Sequence, residues 1–196
     1  LTLQPGAAGG RGDLQVLDDV SFSVNAGETL CILGRSGVGK SVALQHIMGF
    51  LKPDSGRIVV AGQDITHLDE SSMELVRKKV TMVFQNGALF DSLSVGENVA
   101  FPLREQRDLG EEHVQQVVSG LLEMVGVSEM ASLLPSDLST GMKRAVAIAR
   151  ALAAQPEAIL YDEPTRMIDA MVGRRLSSLV QRLNHENRLS AIVGTH

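Results

Sequence analysis

Eight consecutive residues, Gly34-Arg35-Ser36-Gly37-Val38-Gly39-Lys40-Ser41, place glycines, a lysine and a hydroxyl in the spacing G-x-x-x-x-G-K-[ST]. That spacing suits a loop wrapped around phosphate. Glycines let successive backbone N–H groups turn inward on the phosphate oxygens, Lys40 carries a cation to the β and γ phosphates, and Ser41 offers a hydroxyl to Mg²⁺. A second run, Ala158-Ile159-Leu160-Tyr161-Asp162-Glu163, is an apolar strand ending in adjacent carboxylates. It sets an acid at the carboxyl edge of a sheet, where Asp162 can serve bound Mg²⁺ and Glu163 can orient or activate an attacking water. Alone, Asp162 and Glu163 would be solvated charges at a strand end, and the glycines a turn that binds nothing. Together they describe phosphoryl chemistry.

The elements around these residues read as an alternation of strand and helix. Val16, Val20, Phe22 and Val24 alternate in part, and Thr29 to Leu33 is an apolar run ending at Gly34, so two strands are expected before the loop. Lys40 to Phe50 reads as a helix stopped by Gly49 and the turn Pro53-Asp54-Ser55-Gly56, and its N-terminus adds partial positive charge at the phosphate site. Further strands are expected at Arg57 to Ala61 and Val80 to Phe84, with a helix over Glu70 to Lys79 between them. From about residue 94 to 153 apolar residues recur at helical spacing, as in Val114, Val117, Val118, Leu121, Leu122 and Val125, which predicts an inserted helical subdomain. Sheet signals return at Ile159 to Tyr161 and Ser190 to Val193, flanking a helix over Ala170 to Asn187. The fold class is therefore α/β, with a main domain over residues 15–196 and a glycine-rich, flexible lead-in over residues 1–14.

Bulk properties narrow the function. The 196 residues suffice for one buried core, and 44% hydrophobic with 21% charged residues is ordinary for a globular protein. A formal charge of -5 without Lys/Arg blocks disfavours nucleic acid as a partner. Apolar runs such as Leu30 to Leu33 fall far short of the roughly 20 residues that span a bilayer, so membrane association must come through a partner. Cys31, the single cysteine, lies in an apolar run and reads as a small core residue. His46, His67, His113 and His185 have no ligand spacing, so no metal beyond Mg²⁺ is expected, and Met124, Met130, Met142 and Met171 read as core or interface filler. The chain has no initiator Met and stops at His196 directly after an apolar run, so a C-terminally truncated fragment of a longer protein is expected.

Leu138-Ser139-Thr140-Gly141-Met142, followed by a helix rich in Ala and Arg, resembles the LSGGQ signature of ABC ATPases. Other landmarks follow in order: Gln85 resembles the Q-loop glutamine, Asp169 the D-loop aspartate, and His196 in Gly-Thr-His the switch histidine. The resemblance implies a P-loop NTPase fold of the ABC type that binds and hydrolyses ATP with Mg²⁺. It implies a homodimer sandwiching two ATP molecules, with Ser139 and Gly141 of one chain on the γ-phosphate held by the other. Ser41, Asp162 and Gln85 would serve Mg²⁺, and Glu163, Gln85 and His196 would act in hydrolysis. An integral membrane permease would be driven, placing the chain at the cytoplasmic face of the inner membrane as a peripheral subunit. Met82 through Val95, continuing through Glu97-Asn98-Val99-Ala100-Phe101-Pro102-Leu103-Arg104-Glu105, and the pair Gly141-Met142, are similar to the maintenance-of-lipid-asymmetry group. Those transporters move phospholipid between two membranes with a lipid-binding partner. The similarity also makes Leu89, Phe90 and Leu93 candidate permease contacts, against a competing reading as packing of the helical subdomain.

Three segments depart from the family pattern. Thr140 stands for a glycine, Arg166-Met167-Ile168 for small residues before Asp169, and Gly10-Arg11-Gly12 where an adenine-stacking aromatic is expected. Arg11 could stack on the base through its planar guanidinium or remain a solvated loop residue. Thr140 and Arg166 keep a soluble low-turnover nucleotide-binding regulator open, and transport of another solute stays open because the ATPase subunit of such a transporter does not touch cargo.

Overall fold

The computed structural model describes residues 2–4, 16–105, 109–164, 170–186 and 188–195. Two compact units emerge: the first draws on residues 1–82, 157–162 and 184–196, the second on residues 83–156 and 163–183.

In the first unit, a parallel sheet is built from β3 (Thr29–Leu33), β7 (Ala158–Asp162) and β8 (Ser190–Thr195), joined by β6 (Val80–Val83), in the order β3-β8-β7-β6. Leu30 pairs with Ile192 and Leu160 with Ile192, so β8 lies between the strand that leads into the glycine loop and the strand that delivers the carboxylates. β7 is interior to the sheet, and all five of its residues are buried, as its unbroken apolar run requires. Helix α1 (Lys40–Ile47) packs on β7 and β8, burying Ala43, Leu44 and Ile47.

β3 lies at the end of the sheet order and alternates, with Thr29, Cys31 and Leu33 exposed and Leu30 and Ile32 half-buried. Cys31 is thus an exposed thiol, which corrects the expectation of a core residue. An apolar run is buried on both faces only when its strand is interior, and among the described residues β3 pairs on one side alone, with β8.

A second, antiparallel sheet has the order β2-β1-β4-β5, from β1 (Thr2–Gln4), β2 (Phe22–Ser23), β4 (Arg57–Val60) and β5 (Gln63–Asp64). β1 corrects the expectation of a flexible lead-in at its start, because Thr2 to Gln4 pair with Arg57 to Val59. The glycine-rich residues 5–12 lie outside the described residues, and of the strand expected over Val16 to Val24 only Phe22–Ser23 forms. Helix α2 (Glu70–Lys79) starts at an Asp69 cap, which accepts from the Ser72 N–H, and ends in three basic residues that suit the negative end of its dipole.

The second unit is helical over the inserted region. Helices α3 (Val95–Arg104), α4 (Glu111–Met124) and α5 (Thr140–Ala153) enclose a core in which Val99 and Leu103, Val114, Val118 and Leu122, and Val146, Ala149 and Ala153 are buried. The periodicity read from the sequence is realised: Val114, Val118 and Leu122 form the buried stripe of α4, with Val117 and Leu121 packed at its border. The last helix, α6 (Ala170–Glu186), follows β7 in the chain. No helix among the described residues is long and apolar enough to cross a membrane.

The entry to α3 is held by one buried amide. Asn98 is fully buried, its Oδ1 accepts from the Phe90 N–H at 2.8 Å, and its Nδ2 donates to the carbonyls of Phe90, Leu93 and Ser94 at 3.1, 3.0 and 3.0 Å. Ser94 and Glu97 close a capping box over the same turn. Asn98→Ala strands several backbone groups out of water, so urea unfolding should show a loss of about 2–4 kcal/mol.

Candidate active site

The glycine loop of the first unit is organised from within. Lys40, only 5% exposed, donates from Nζ to the carbonyls of Gly34 at 2.5 Å and Arg35 at 2.9 Å. The lysine spans the start of the loop and holds its first two carbonyls. Gly39 caps α1 in a left-handed conformation, with φ of 93°, and no side chain caps the helix. The first turn of α1 carries no acidic residue of its own, so the partial positive charge of its N–H groups is left to what the loop binds and to Asp162 at the end of β7. That arrangement fits a polyphosphate.

Ser41 Oγ donates to Asp162 Oδ1 at 2.7 Å, joining the first turn of α1 to the end of β7. Asp162 is 8% exposed. A hydroxyl and a carboxylate at hydrogen-bond distance form a pair of hard oxygen donors of the kind Mg²⁺ takes when phosphate oxygens and waters complete its shell. The donor set fits the ion. Within the same core, Tyr161 is fully buried and its hydroxyl donates to Asn184 Oδ1 at 3.3 Å; burial pushes its pKa up from the ordinary phenol value.

The second unit holds the remaining described residues of the expected set. Glu163 follows Asp162 in the chain, is 5% exposed, and adopts a left-handed φ of 45° that a residue with a Cβ takes only when held. Gln85 follows β6 and is half-buried. Ser139 is exposed and caps α5, accepting from the Met142 N–H at 3.4 Å, with Thr140 exposed and Gly141 half-buried beside it. Ser139 thus has a local structural task as well as the proposed one on a partner's nucleotide.

Two side chains that the sequence reading passed over tie this unit together. Arg144, 3% exposed on α5, donates from Nε to the Gln85 carbonyl at 3.0 Å and from Nη1 to the Pro164 carbonyl at 2.8 Å. Arg150 donates to the Gly87 carbonyl at 3.0 Å and lies over the Phe90 ring at 5.5 Å. Burial lowers the pKa of both guanidiniums from the ordinary arginine value. The only sequence signal was the Ala- and Arg-rich composition of α5, which does not say which arginines turn inward.

Among the candidate permease contacts, Leu89 packs at the border of the helical core, Leu93 is half-buried and Phe90 is 43% exposed with its ring 4.8 Å from that of Phe101. His196, Asp169, Arg166 and Arg11 lie outside the described residues, as does the Met171 side chain.

The strand, glycine loop, helix and acidic strand end define a nucleotide-phosphate site of the P-loop class. The ABC transporter family profile matches residues 17–166, so this chain belongs to the ABC transporter family, whose cassettes are ATP hydrolases. It is 42% identical over 186 residues to the intermembrane phospholipid transport system ATP-binding protein MlaF of Haemophilus influenzae, covering 95% of this chain and 70% of that protein. It is 40% identical over 188 residues to the methionine import ATP-binding protein MetN of Cupriavidus metallidurans, covering 96% of this chain but only 54% of that protein. The fold matches a dimeric post-hydrolysis state of the ATP-binding cassette MJ0796 bound to ADP and Pi, with a TM-score of 0.89, 31% identity, and 100% of this chain and 87% of that chain covered. The resemblance to the ABC family and the α/β fold read from the sequence are both borne out.

Gly39 offers a direct check of the loop geometry. A Cβ there would sit 2.9 Å from Leu17 Cδ2 and 3.0 Å from the Val16 carbonyl oxygen, at a φ that disfavours any side chain. Gly39→Ala should cost about 1–3 kcal/mol in thermal or urea unfolding. It should also weaken ATP binding by about tenfold or more in calorimetric titration, because the N–H array of the loop must shift.

Proposed function

We propose that this chain is the ATP-hydrolysing subunit of a transporter that moves phospholipid between two membranes. The hydrogen bond between Ser41 and Asp162 carries the ATP-hydrolysing part of the reading, because it joins the phosphate loop to an acidic strand end with oxygen donors suited to Mg²⁺. When bound there by Ser41 and Asp162, Mg²⁺ would neutralise charge on the β and γ phosphates. Lys40 and the loop N–H groups bind and orient the phosphates. Glu163 orients the attacking water or takes its proton, Gln85 contacts the ion or that water, and His196 holds the γ-phosphate.

In this reading two copies close on two ATP molecules, with Ser139 and Gly141 of each reaching the other's nucleotide. The dimeric cassette MJ0796 supports that arrangement. The chain works at the cytoplasmic face of the inner membrane through a permease, with a lipid-binding partner carrying the cargo. Exposed Phe90, with Phe101, suits the permease contact. The 42% identity to MlaF supports phospholipid as cargo, and the 40% identity to MetN favours a second reading, import of a small solute such as an amino acid. Residues that touch cargo would belong to the partners, so this chain's own site serves either.

Glu163→Gln should lower ATP turnover by about 100-fold or more while ATP still binds, since the carboxylate acts in the chemical step and not in phosphate binding. The full-length variant purified from solubilised membranes with ATP should bring a permease with it. Phospholipid in that complex supports the lipid reading, an amino acid the second reading, and absence of any membrane protein contradicts both.

A further inference from the structure

Arg144 has a geometry that packing alone does not call for. Its guanidinium is buried and divided between two backbone carbonyls from different parts of the chain, one on Gln85 and one on Pro164. Gln85 is itself a candidate catalytic residue, and Pro164 is the neighbour of Glu163, which sits in a left-handed conformation. The donors of a guanidinium leave in a fixed planar fork, so the position of one carbonyl dictates that of the other. Six residues further along α5, Arg150 holds the Gly87 carbonyl, so the segment after β6 is fastened to this helix twice.

We propose that Arg144 is a positioning residue for ATP hydrolysis: its fork locks the Gln85 segment and the Glu163–Pro164 turn to α5 as one piece. It acts through Gln85 and Glu163 and touches no nucleotide. α5 is capped by Ser139, so a displacement at the Ser139 end is passed through Arg144 to both water-handling residues. The inference rests on the hydrolytic reading of Glu163 above. Lysine at position 144 keeps charge and most of the stem but offers one ammonium where two separated donors are needed.

The test compares wild type, Arg144→Lys, Arg144→Ala and Glu163→Gln in the full-length protein, by steady-state ATP turnover, affinity for a non-hydrolysable ATP analogue, and amide hydrogen exchange. For Arg144→Lys the expected result is kcat lower by about 10–100-fold with KM and analogue affinity within about threefold. Peptides spanning Gln85 and Glu163 should exchange faster while α5 stays protected. Added guanidinium should restore part of kcat to Arg144→Ala; if that variant does not fold, the lysine variant decides alone. A folded Arg144→Lys with wild-type kcat and wild-type exchange at both peptides overturns the proposal. Loss of analogue affinity in step with kcat overturns it too, since that marks general damage. If wild type hydrolyses ATP and Glu163→Gln does so equally well, the role of Glu163 fails instead, and the exchange data still decide whether the fork holds the two segments.

Discussion

The hydrogen bond from Ser41 to Asp162 is the contact on which the first unit's chemistry depends. It spans residues far apart in the chain and requires β7 to end where α1 begins. Several independent constraints meet there: the fully buried apolar run of β7, the packing of Leu44 and Ile47 beneath α1, and the placement of β8 between β3 and β7. A slip of one residue in β7 would turn Asp162 to the other face of the sheet and break the pair. Lys40 complements this contact by holding the first two carbonyls of the loop, so the loop keeps its shape through its own lysine.

The second unit applies the same logic with a helix in place of a sheet. α5 buries Val146, Ala149 and Ala153 in the helical core and directs two arginines at backbone carbonyls. Burying a guanidinium is costly unless its donors are engaged, and here those donors meet the carbonyls of Gln85, Pro164 and Gly87. The left-handed Glu163 fits this pattern, because strain at a site of chemistry persists only where surrounding structure fixes it.

The glycine loop, the acidic strand end and the helical stripe of α4 were legible in the sequence because each signal is local, a spacing or a period that a short window contains. The family followed from the same short motifs. What escaped reading depends on partners distant in sequence. Thr2 to Gln4 become a strand only by pairing with β4, and a glycine-rich neighbourhood gives no hint of that. Cys31 was misread because an apolar run does not state whether its strand lies inside a sheet or at its end. The Asn98 knot and the Arg144 fork were invisible for a related reason: an amide or a guanidinium shows its importance only once the carbonyls it meets are known.

ATP turnover with Mg²⁺ by the full-length protein, wild type against Lys40→Ala, decides whether this loop is where phosphoryl transfer takes place. Wild type should release phosphate steadily, and release should fall by about 100-fold or more without the lysine that organises the loop and reaches the phosphates. Equal release by both proteins would contradict the assignment of this loop as the site of the chemistry.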